Sequence, residues 1–174
     1  MFTKILVALD RSSSNQQVFS VALTLAKTTN ASLILLHVLS PEEEGSPDIS
    51  LIREEYYPGL SSEIAEMHRQ QWREFENQGL EMLKSRAEEA AAAGIKAETQ
   101  QIFGTPSRVI CDSAKTWEAD LIVLGRRGHS GLQELFLGSV SNYVLHHAPC
   151  SVLTVQAGSK STVSRQQQQS EVVL

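Results

Sequence analysis

Short apolar runs alternate along the chain with segments whose apolar positions recur three and four residues apart. Ile5-Leu6-Val7-Ala8-Leu9 is apolar throughout and stops at Asp10, the form of a strand buried on both faces. Ser12, Ser13 and Ser14 then offer N-cap hydroxyls. Val18, Val21, Ala22 and Leu25 follow with the spacing of an amphipathic helix that ends near Asn30. Leu33 to Leu39 is a second apolar run, broken only by His37, which reads as a hydrogen-bonded core histidine. Strand, helix and strand in that order predict a right-handed βαβ unit.

From Pro41 to about Gly59 the period is lost. Glu42-Glu43-Glu44-Gly45-Ser46-Pro47 reads as a solvated loop, and residues 41–60 as an insertion able to lie over a cleft. A long helix is predicted from Ser61 or Ser62 to Ala93, stopped by Gly94 and built from good helix formers apart from Gly79. Ile64, Met67, Trp72, Phe75, Leu80, Leu83 and Ala87 supply its apolar positions, with His68 facing solvent. Residues 95–103 alternate like an edge strand, and Gly104-Thr105-Pro106 opens a helix striped by Val109, Ile110, Ala114 and Trp117. Leu121-Ile122-Val123-Leu124 and Ser151-Val152-Leu153-Thr154-Val155 are the remaining strands. The succession β-α-β-α-β-α-β-α-β predicts an α/β fold: an open five-stranded parallel sheet of order 3-2-1-4-5 with helices on both faces, Rossmann-like. In that order a ligand crevice opens between the first and fourth strands. Residues 1–157 form the predicted domain, and 158–174, without apolar period, a disordered tail.

Composition changes this picture little. Hydrophobic residues are 41% and charged residues 20% of 174, with a net charge of −5. That balance gives no support to binding of nucleic acid or of a membrane surface. Cys111 and Cys150 lack metal-ligand spacing and read as small buried hydrophobes. No apolar run approaches the roughly 20 residues of a membrane span, and no leader pattern precedes the first strand; a cytoplasmic location is expected.

The chemistry concentrates after the fourth strand. Gly125-Arg126-Arg127-Gly128 is followed, after nine intervening residues, by Gly138-Ser139-Val140-Ser141 at a second helix start. Glycine lets backbone N–H groups approach a ligand that a Cβ would obstruct, and a helix N-terminus presents unpaired N–H groups that suit phosphate. Asp10, at the end of the first strand, converges on the same crevice. The pattern is neither a Walker A loop nor the dinucleotide signature G-x-G-x-x-G.

Gly125-x2-Gly128-x9-Gly138-Ser139 resembles the nucleotide-binding signature of the universal stress protein family, its ATP-binding branch in particular. The resemblance runs from Phe2 to about Val155, through Ile5 to Asp10, Leu35-Leu36-His37-Val38, Gly104-Thr105-Pro106 and Ala148 to Leu153. It implies a homodimer formed through the last strand, and ATP held with a divalent cation, Mg2+ or Mn2+. It also implies a binding set. Asp10 and the backbone of Val38 would meet the nucleoside, with Ala8 and Leu124 beside them and Gly125 near the ribose. Gly128, Gly138, Ser139, Val140 and Ser141 would hold the phosphates. Ala8 departs from the proline some members carry. A regulatory stress-response role is the reading this favours, with protein partners unspecified. A slow ATPase or self-phosphorylating enzyme is the alternative, although no distinct base–nucleophile set is evident; a nucleotide-free interaction module is a third, disfavoured by the intact signature.

Overall fold

The computed structural model describes residues 1–47, 62–126 and 137–156. In chain order their elements are β1 (Lys4–Leu9), α1 (Asn15–Thr29), β2 (Ser32–Leu39), α2 (Ser62–Ala92), β3 (Ala97–Phe103), α3 (Pro106–Thr116), β4 (Leu121–Gly125), α4 (Ser139–His147) and β5 (Ser151–Val155). β1 pairs in parallel with β2 on one side and β4 on the other, which is why its run is apolar on both faces. β3 lies outside β2 and β5 outside β4, so the order is 3-2-1-4-5, as the pattern predicts.

Alternate residues of each strand enter opposite layers. Ile5, Val7, Leu33, Leu35, Leu121 and Val123 pack with Val18, Phe19 and Ala22 of α1 and with Leu83 and Ala90 of α2. Leu6, Leu36, Ile122 and Leu124 pack on the other face with Ile110 and Ala114 of α3 and Val144 of α4. Among the described residues no helix is long and apolar enough to cross a membrane.

The long helix α2 buries a different stripe from the one its hydrophobes suggest. Ile64, Met67 and Leu80 are exposed, whereas His68, Phe75, Gly79, Leu83 and Ala90 are buried. His68, expected in solvent, is instead buried, its ring centroid 6.4 Å from that of Trp72. Gly79 sits where α2 packs against His37 of β2 and Gln101 of β3. A Cβ there would stand 2.5 Å from His37 Nδ1 and nearer still to Gln101 Nε2. The helix accepts a glycine, at about 1 kcal/mol relative to alanine, because any larger residue would push it off the sheet.

At the amino ends of the strands Asp120 ties β1 to β4. Its Oδ2 accepts from the Thr3 N–H and hydroxyl, both at 2.7 Å, and from the Lys4 N–H at 3.3 Å. Partial burial would raise its pKa, but the Thr3 hydroxyl and the Thr3 and Lys4 N–H groups outweigh that and hold the carboxyl below its ordinary 3.8. A depressed folded pKa contributes stability above the unfolded value that is lost as pH falls through the folded one. Urea unfolding at pH 5 and pH 2.5 should therefore show a smaller acid-induced loss for Asp120→Asn than for the unaltered protein. Equal losses would mean the carboxylate is not held as described.

Candidate functional site

Parallel strands bring the loops that follow them to one edge of the sheet. The chain leaves β1 for α1 on one face and leaves β4 for α4 on the other, the kind of switch point beyond which open α/β sheets hold ligands. The register Ala8↔Leu124 carries Asp10 and Arg126 to the same level just beyond the strands.

On the β1 side, Asp10 is held in a side-chain turn. Its Oδ1 accepts from the Ser12 N–H at 3.1 Å and from the Ser12 hydroxyl at 2.5 Å, while Oδ2 accepts from none of the described residues. The β1–β2 ladder ends at Leu9↔His37, so Val38 stands where β2 runs past its neighbour into the crevice. Ala8, Val38, Leu124 and Val140 all belong to the apolar layer on the α3/α4 face. They make a small hydrophobic floor at the carboxyl end of the sheet.

On the β4 side the Arg126 backbone gathers the loop. Its N–H donates to Val155 O at 2.7 Å, and its carbonyl accepts from the Gly138 N–H at 3.0 Å and the Ser141 hydroxyl at 2.9 Å. Gly138 and Ser141 are thereby held to Arg126 at the end of β4. Gly128 falls within the 127–136 segment, with Arg127 and His129, and lies outside the described residues.

Gly138 is the N-cap of α4, in extended conformation, and its carbonyl accepts from the Asn142 N–H at 2.9 Å. It brings no side chain to cap the helix, so the N–H groups of Ser139, Val140 and Ser141 keep no partner within it. They carry the positive end of the helix dipole. Ser139 is exposed, but Ser141 is 1% exposed and its hydroxyl also lies 3.0 Å from Gly138 O. The Ser141 proton is therefore spent inside the loop, where it ties Gly138 to β4.

The charge run after β2 is exposed at Glu42 and Glu44, as its solvated reading expects, and departs from it at one residue. Glu43 is buried, with His37 Nε2 at 3.0 and 3.1 Å from its oxygens and the Arg11 N–H donating to Oε1 at 3.0 Å. Only the histidine signalled this. A wholly buried imidazole needs partners for both nitrogens, and the second is Gln101, at 2.8 Å from Nδ1. The described residues hold no group of three or more His, Cys, Asp or Glu side chains able to take a metal ion. Cys111 and Cys150 are half-buried; burial pushes both thiols up, helped by Asp112 and Asp120 respectively.

Comparison with known proteins agrees with this fold. The model of the universal stress protein family matches residues 1–156. A universal stress protein of Synechocystis sp. is 39% identical over 159 residues, covering 89% of this chain and 98% of the relative. Among solved structures, one from Lactobacillus plantarum superposes with a TM-score of 0.70 at 26% identity, covering 88% of this chain and 97% of that one. A family protein from Arabidopsis thaliana with AMP bound gives 0.59 at 23% identity, covering 94% and 97%. A universal stress protein in complex with cAMP gives 0.58 at 23%, covering 89% and 97%.

Proposed function

The chain belongs to the universal stress protein family, and on that premise we propose that it binds ATP with Mg2+ or Mn2+ in the crevice between β1 and β4. Its role would be regulatory, in a stress response. The observation that carries the reading is the Arg126 carbonyl, which holds Gly138 and Ser141 so that the N–H groups opening α4, without a partner among the described residues, stand beside the end of β4. Anionic oxygens match such donors in charge and geometry. The glycine signature asks for several phosphates, and the AMP and cAMP complexes of two family members make adenine the favoured base.

In this reading adenine lies against the floor of Ala8, Val38 and Leu124 and meets Val38 through backbone atoms. Asp10 Oδ2 accepts from the ribose, next to Gly125. Gly128, Gly138, Ser139 and Val140 hold the phosphates through N–H groups, and Ser141 both donates its N–H and braces the loop. The cation would be held by phosphate oxygens and water. We further propose that two copies join along β5, an edge strand of the sheet whose outer backbone groups have no strand neighbour among the described residues, with Val152 and Leu153 half-buried beside it; an unpaired strand edge favours pairing.

The test is to denature freshly purified protein, chromatograph the released small molecules, and repeat with Gly128→Val/Gly138→Val. ATP or ADP is expected from the unaltered protein and none from the double variant. Light scattering of the same preparation should give twice the 19.2 kDa chain mass. Absence of nucleotide, together with no binding when ATP and magnesium are titrated in, would overturn the binding reading; a single-chain mass would overturn the dimer.

A further inference from the structure

We propose that Glu43 and Asn15 are positioning residues for the nucleoside end of the crevice, because together they clamp the one peptide group that aims Asp10. The proposal rests on the nucleotide reading above. That peptide joins Asp10 to Arg11. Its N–H donates to Glu43 Oε1 at 3.0 Å, and its carbonyl accepts from Asn15 Nδ2 at 2.6 Å. A peptide group is planar, so holding both its ends fixes the backbone rotation next to the Asp10 α-carbon and with it the direction of the carboxylate.

Both clamps lead back to α2. Gln101 Nε2 donates to Glu76 O at 3.1 Å and faces His37 Nδ1 at 2.8 Å. An amide nitrogen only donates, so Nδ1 accepts and the ring proton sits on Nε2, where it reaches Glu43. The hydrogen bonds therefore run Gln101 to His37 to Glu43, with the Arg11 N–H entering from the other side. On the second branch Asn15 Oδ1 accepts from Arg86 Nε at 2.9 Å. Glu43 and Asn15 are 8% and 7% exposed, and buried polar groups of this kind are tolerated only when satisfied. Gly79 belongs to the same arrangement, since it lets α2 approach His37 and Gln101. The frame of α2, β2 and β3 thus sets the angle of Asp10 just beyond β1.

Two shape-conserving variants test this. Glu43→Gln removes the charge that the Arg11 N–H donates to and sets an amide N–H2 against the His37 Nε2–H, a donor facing a donor. Asn15→Asp removes the donor to Asp10 O and keeps the acceptor for Arg86. ATP–magnesium and inorganic triphosphate are titrated into the unaltered protein and each variant by calorimetry, with circular dichroism as the check on folding. Either variant is expected to weaken ATP about tenfold, the effect of one lost hydrogen bond to a charged group, while triphosphate affinity, which depends on α4, stays within twofold. A merely structural role would leave both affinities unchanged or lower them together, and either result would overturn the proposal. Should one variant fail to fold, the other decides. If the unaltered protein takes triphosphate but not ATP, the nucleoside reading falls and the proposal with it; unchanged ATP affinity in the variants removes the proposal alone.

Discussion

His37→Leu is expected to lower the unfolding free energy by about 3 kcal/mol, although it makes a central strand more apolar. Leucine fills a similar volume and suits a strand whose neighbours Leu33, Leu35 and Leu36 are wholly buried. What it cannot do is donate to Glu43. That carboxylate, 8% exposed, would keep only the Arg11 N–H, and a buried charge stripped of a partner costs more than the hydrogen bond contributed. Gln101 suffers less, since its amide keeps Glu76 O. Urea unfolding of His37→Leu, Glu43→Leu and the double variant measures this directly. The double variant should recover a large part of the single losses, because it removes the orphaned charge together with its partner. Simple additivity of the two losses would show that the pair is not coupled.

Phe19→Ala is expected to cost about 3–5 kcal/mol, the largest effect of any substitution considered. The ring is wholly buried on α1 in the layer that joins the sheet to α2. The Arg86 guanidinium lies over it at 5.6 Å from the ring centroid. Alanine would leave a cavity that a sheet fixed by four parallel ladders cannot close, and would strip the cation of its aromatic cover. Phe19→Leu, which keeps most of the volume, should cost under about 2 kcal/mol. Denaturant midpoints with an unchanged slope are the measure, and a similar small loss for both variants would show that the site collapses around alanine.

Because Arg86 also holds Asn15, Phe19→Ala should disturb the crevice as well as the core. Distant sites usually add, but groups that share a partner do not.

Much of the architecture was legible along the chain because it depends on local pattern. A parallel strand covered on both faces must be apolar at consecutive positions, as at Ile5 to Leu9 and Leu121 to Leu124. An amphipathic helix must repeat near every 3.6 residues, as α1 does. The switch point between β1 and β4 follows from element order and handedness, and the strand order found has it there. The glycine signature likewise lies within one short stretch.

Tertiary structure alone decided which face of α2 is buried, because the inward stripe includes His68, Gly79 and Arg86 as well as hydrophobes, and no hydrophobic pattern selects them. It decided that Glu43 leaves water, since its partners are His37 on the strand before it and the Arg11 N–H 32 residues away. It turned the Ser141 hydroxyl inward onto Arg126 O, 15 residues back, where the residue type suggested only a donor for a ligand. Periodicity reports whether a position prefers apolar surroundings, a property of the residue and its near neighbours. Which polar group satisfies which is a property of atoms brought together by folding, such as Gln101 and His37, 64 residues apart in the chain, and it exists only once the sheet and its helices have closed around them.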